Sequence, residues 1–271
     1  GQVIGAPLAE WLMTFYSWQG VFIIFAGVIL ASLAILPIMR SPPRQVSPGS
    51  ELGMGAALMQ AFRDPSFTLI FLGFFSCGYQ LAFITAHFPA FVTEMCGPIM
   101  PGGTLEMLGI TTTSALGAVA IAIIGLTNIL GTLSAAWAGK YYSKKLLLAG
   151  IYTGRTVVAS AFILNPITPE SVLIFSALMG ALWLATVPLT SGLIAQIYGI
   201  RYMGTLYSIV FLSHQLGGFL GVWLGGHLYD IHGDYTLVWW VGIGVGAFSA
   251  LVHLPISERP LNTGAGGLRP A

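Results

Sequence analysis

From Ala115 to Ala138 the chain runs 24 residues without one charged side chain, and six other stretches are nearly as apolar. A helix rises 1.5 Å per residue, so about 20 apolar residues cross the roughly 30 Å hydrocarbon core of a bilayer. Only 7% of the 271 residues are charged and 56% are hydrophobic, whereas soluble domains run near 25% charged. The ten-residue alternation of an outer-membrane barrel is absent. The sequence therefore specifies an all-α, polytopic membrane helix bundle.

The expected spans are Gly20 to Met39, Ser66 to Val92, Ala115 to Ala138, Leu146 to Leu164, Ser171 to Tyr198, Thr205 to Tyr229 and Thr236 to Pro255. Ahead of them GQVIGAPLAEW begins inside an apolar segment with no basic leader. It reads as the back half of a spanning helix, so the chain is expected to be a fragment. Residues 40–64 form the one substantial polar stretch: a Pro/Ser-rich linker, then Glu51 to Phe62 as a short amphipathic helix at the interface. Residues 257–271 read as a disordered tail.

Basic residues crowd alternate loops: Arg40, Arg44 and Arg63; Lys140, Lys144 and Lys145; Arg201; Arg259 and Arg269. The opposite loops carry only Glu10, Glu94, Glu106, Glu170, Asp230 and Asp234. By the positive-inside rule, linker and C-terminus face the cytoplasm of a plasma (inner) membrane protein. A net charge of +1 gives no reason to expect nucleic acid. Cys77 and Cys96 would lie about 28 Å apart on one helix, beyond disulfide reach, and no zinc-type spacing appears. HExxH, G-x-S-x-G and Walker signatures are missing, so neither an enzyme nor a cofactor is expected.

Polar residues inside spans must face a cavity or a partner. Gln80, His87 and Glu94 are spaced by sevens and fall close to one line on a helix, a stripe expected to border a water-accessible pathway. Arg155 sits near mid-membrane, either as an anion-binding or gating charge or as a tie to carbonyls or a carboxylate. His87 and His214, the latter beside Gln215, are candidates for substrate or proton binding or else satisfied packing histidines. Asn128 suits an interhelical hydrogen bond. Pro188, flanked by Thr186, Thr190 and Ser191, is expected to break its helix, as at transporter binding sites or simply for packing. Gly217, Gly221 and Gly225 repeat at fours, which allows close helix approach and, in a sharper reading, sliding during conformational change.

The stretches DPSFTLIFLGFFSCGYQLAFITAHFPAF, IGLTNILGTLSAAWAGKYYSKK, LWLATVPLTSGLIAQIYGIRYMGTLYSIVFLSHQLGGFLGVWLGGHLYD and HLPISERP resemble the C-terminal half of a major facilitator superfamily transporter. More narrowly, they resemble bacterial members of its monocarboxylate-transporter-like branch. The resemblance implies that residues 1–39 end an N-terminal bundle, that 65–256 form the C-terminal six-helix bundle, and that the two alternate about a midplane site. The rest of the N-terminal bundle would then be a partner from the same chain, beside the lipid bilayer. Gln80, His87 and the Pro188 region would face the central cavity, with a small organic anion as substrate and H+ as a coupling ion. One departure stands out: the family's Asp-Arg pair after the turn glycine is Lys140 and Tyr141 here. Efflux of amphipathic compounds and a seven-helix receptor are the competing readings.

Overall fold

The computed structural model describes residues 2–38, 53–107 and 109–261, and every regular element among them is helical. In chain order they are α1 (Gln2–Met13), α2 (Trp18–Ser32) with a 3-10 turn at Leu33–Ile38, α3 (Met54–Arg63) and α4 (Pro65–Met95). After the short α5 (Thr104–Met107) come α6 (Thr113–Ala138), α7 (Lys144–Ile163), α8 (Pro169–Leu182), α9 (Thr186–Tyr198), α10 (Met203–His232) and α11 (Thr236–His253). Among the described residues, seven segments are long and apolar enough to cross a membrane, with α8 and α9 together making one of them. The chain is a multi-pass membrane protein.

Local chemistry sets the ends. Asp64 accepts from the Ser66 amide at 3.0 Å, with Pro65 in the first turn of α4, where its missing N–H costs nothing. Thr168 and Ser171 form a reciprocal capping box at the start of α8. Gly233 closes α10 at φ 74, a conformation that side chains with a Cβ rarely adopt. The amphipathic helix expected over Glu51 to Phe62 is α3, which buries Ala61 against the bundle, while the linker before it and the tail after 261 lie outside the described residues.

α4 is the hub. It packs along α10 for much of its length and also against α11 and α6; α7 packs on α11, and α8 on α6. The glycine repeat faces α4: a Cβ on Gly217 would strike the Phe75 carbonyl, and one on Gly221 the Tyr79 carbonyl. One on Gly225 would come within 2.7 Å of the His87 ring, and Gly78 meets the His214 backbone in return. The two helices touch backbone to backbone. α1 packs on α6, where Ser114 donates to Glu10 at 2.7 Å, whereas α2 buries only Val21.

At the Lys-rich end, residues 254–261 strap the helix ends together. One Glu258 carboxylate oxygen accepts from the Lys145 amide at 2.6 Å and the Ser143 hydroxyl at 3.1 Å, so a distant acid caps α7. Gln196 donates to the Glu258 carbonyl, and the Leu261 amide to the Ile197 carbonyl, tying in α9. Hydrogen bonds to a charged group contribute about 1.5–3 kcal/mol each. Glu258→Ala removes two such bonds and is expected to lower the melting temperature by at least about 6 °C, at about 2–4 °C per kcal/mol. An unchanged melting curve would show that the strap holds without its carboxylate.

Candidate functional site at a broken helix

The membrane segment from Pro169 to Tyr198 is interrupted at Trp183, Leu184 and Ala185. The expected break at Pro188 is therefore one turn displaced: Pro188 lies in the first turn of α9. A proline disrupts the helix on its N-terminal side, because its ring crowds the carbonyl four residues back, here that of Leu184. The break exposes peptide groups inside a bundle, where no water relieves them.

Two side chains from neighbouring helices supply the missing partners. Arg155 of α7 is fully buried and donates Nε (3.0 Å) and Nη2 (2.7 Å) to the Leu182 carbonyl, and Nη2 also to the Trp183 carbonyl. The guanidinium thus covers the C-terminal carbonyls of α8, where a positive charge opposes the helix dipole. Asn128 of α6 accepts from the Leu184 amide at 2.9 Å and from Thr132 at 3.1 Å. Between them, Arg155 and Asn128 satisfy both sides of the interruption.

The remaining Arg155 contacts are neutral. Its Nη1 reaches Gln80 Oε1 at 3.5 Å, and Nη2 lies 4.0 Å from the Cys77 thiol. Cys77 sits 3.3 Å from the hydroxyl of buried Thr186, the first residue of α9, with His214 on another side. Gln80 Nε2 donates to the Gly242 carbonyl of α11 at 3.0 Å. Four of the six candidates, Gln80, Arg155, Thr186 and His214, thus meet around Cys77. Sequence reasoning had weighed Cys77 only for a disulfide; its place one turn from Gln80 on the same face was the available signal.

His87 and Gln215 stand apart. The His87 ring lies 2.9 Å from the Val222 carbonyl of α10 and is wedged against Gly225, beside Phe83 and Tyr235. Within the stripe of sevens, Gln80 bonds to α11 and His87 to α10. For His87 the reason is packing: the glycines of α10 leave room that the histidine fills. Glu94 is exposed and accepts from Tyr229 at 3.0 Å. Gln215 is exposed. His214 is half-buried, stacks on Phe211 with centroids 4.9 Å apart, and keeps a buried Nδ1 without a partner. Buried His253, Tyr152 and Ser249 extend the polar interior; His253 and Ser249 escape the sequence reading because each sits among apolar residues.

Known proteins agree with this architecture. No protein-family model matches the chain. Among solved structures, that of FucP, a Major Facilitator Superfamily transporter in the outward conformation, aligns with a TM-score of 0.60 at 17% identity, over 88% of this chain and 54% of that one. The chain has the major facilitator fold, over about half the length of that structure. Its sequence is similar to an uncharacterized MFS-type transporter, YcxA, of Bacillus subtilis (23% identical, 88% of this chain, 56% of the relative). It is also similar to monocarboxylate transporter 13 of Bos taurus (22%, 85% and 51%). The chain spans about half the length of these curated relatives.

Proposed function

We propose that the chain is the C-terminal bundle of a secondary transporter that moves a small organic anion by alternating access, with proton coupling. One observation carries the choice of an anion. Among the described residues, Arg155 is the only Asp, Glu, Lys or Arg in the middle of a membrane segment, and its hydrogen-bond partners are carbonyls and neutral side chains. Among the described residues, the acidic ones lie in loops or near helix ends. A cation held at mid-membrane without a carboxylate would make the cavity proposed between the two bundles attractive to anions and costly for cations. The similarity to a monocarboxylate transporter supports the same class. Arg155 acts through the field it sets and the break it holds. Half-buried His214 and exposed Gln215 of α10 are the groups proposed to meet the solute, and His214, the histidine of the cluster around Cys77, is the proposed proton-linked group.

In this reading the linker, the Lys140–Lys145 turn and the C-terminus face the cytoplasm, and the N-terminal bundle supplies the second wall of the cavity. Uptake of a panel of monocarboxylates, neutral amphiphiles and cationic amphiphiles by the complete protein, with and without a pH gradient, tests the proposal. Carboxylates are expected to accumulate with inward proton flow. Preferential movement of neutral or cationic amphiphiles would replace this reading by efflux. In the same assay His214→Gln is expected to flatten the dependence of uptake on pH between 5 and 8. An undiminished gradient response would remove His214 from the coupling.

A further inference from the structure

We infer that the bundle carries a binding site for one anionic phospholipid in the leaflet on its Lys140 side. A cavity of about 390 Å³ lies on the α8–α9 segment between α6 and α7, within the size range of small-molecule sites. Its walls are apolar but for the Ser134 hydroxyl: Leu130 and Ala138 on α6, Leu147 and Ile151 on α7, and Ala185 at the helix break. From Leu130 to Ala138 the α6 wall rises about 12 Å, which is most of one leaflet's hydrocarbon depth.

The open end of this groove is cationic and aromatic. On α6, Ala138 is followed by Gly139 and the exposed Lys140, whose ammonium has no hydrogen-bond or ion-pair partner among the described residues. On α7, Lys144 lies one turn before Leu147 on the same face and donates to Gln196 at 2.8 Å. Trp137 meets Tyr141 with tilted rings 5.2 Å apart between centroids, and both are exposed with Tyr142 at the helix end, where aromatic residues seat at a membrane interface. A basic rim above a groove between membrane helices is complementary to an anionic headgroup with its acyl chain below. A free phosphate would use only the rim, and a zwitterionic lipid mainly the groove. The contact of α1 with α6 through Glu10 and Ser114 lies at the opposite end of α6 and leaves this end open.

The site is tested on the complete purified protein by native mass spectrometry with added phosphatidylglycerol, phosphatidylcholine or glycerol 3-phosphate. Phosphatidylglycerol is expected to be retained about fivefold better than phosphatidylcholine. Lys140→Gln should erase that preference and Lys140→Arg should keep it. Ser134→Phe, which fills the groove from an exposed position, should lower retention of both lipids. Equal retention of the two lipids, or selectivity that survives Lys140→Gln, would reduce the groove to ordinary annular contact and overturn the inference. So would full competition by glycerol 3-phosphate, which lacks an acyl chain. Failure here leaves anion transport untouched, because none of these readouts measures uptake.

Discussion

Replacing Arg155 by methionine is expected to lower uptake by the complete protein at least tenfold while the protein still reaches the membrane. Methionine fills similar space and offers no donor, so the Leu182 and Trp183 carbonyls lose the partner that holds them apart from a continuous helix. Each bond to the guanidinium contributes about 1.5–3 kcal/mol, offset in part by the relief of a desolvated charge. The α8–α9 segment can then rewind through the residues before Leu184, and only Asn128 still marks the break. Thr186 turns with it and leaves Cys77. Arg155→Lys retains the charge but not the fork, and one ammonium cannot span two carbonyls and Gln80 in the same geometry. Uptake by the lysine variant therefore separates the two roles. Recovery above half of the native rate would assign Arg155 to the electrostatic field alone, whereas rates near those of the methionine variant would assign it to positioning. Native uptake by the methionine variant would sink both roles.

The spans were legible because the bilayer imposes length and composition on every one of them. The expected Ala115 to Ala138 and the observed Thr113–Ala138 differ by two residues, at the point where Thr112 caps the helix. The site was less legible. Sequence spacing put Gln80 and His87 on one line but could not say which neighbour that line would meet. The answer depends on the glycines of α10 and on the Gly242 carbonyl of α11, more than 130 residues away in sequence. Arg155 showed the reverse case. Its depth was readable from position alone, and both roles weighed for it depend on facing the protein interior, as it does. What the sequence left open was the acceptor, because a helix break produces carbonyls that have no signature of their own. The nearby proline pointed to the right turn of the chain, displaced by the crowding it exerts on the residues before it.

Gly221→Ala is expected to destabilise the bundle strongly, through the α4–α10 contact. A Cβ at residue 221 would strike the Tyr79 carbonyl oxygen and lie 3.1 Å from its carbon and 3.2 Å from the Tyr79 Cα. These are backbone atoms in the most buried membrane segment of the bundle, with no rotamer to give way. Overpacking a well-filled interior costs about 1–3 kcal/mol even where side chains can move. Here the helices must separate instead, which loosens the contacts of Gly217 and Gly225 and the His87 bond to Val222 along the same seam. The folded, monodisperse fraction in detergent should fall several-fold. Gly218→Ala is the control: its Cβ would meet Ala82 at 3.5 Å, an ordinary contact, so that variant should behave as native. Equal loss in both would mean that α10 needs glycine for flexibility rather than for proximity. If Gly221→Ala instead folds normally but transports slowly, the seam opens and closes during the cycle, and the glycine run serves as a sliding surface as well as a packing one.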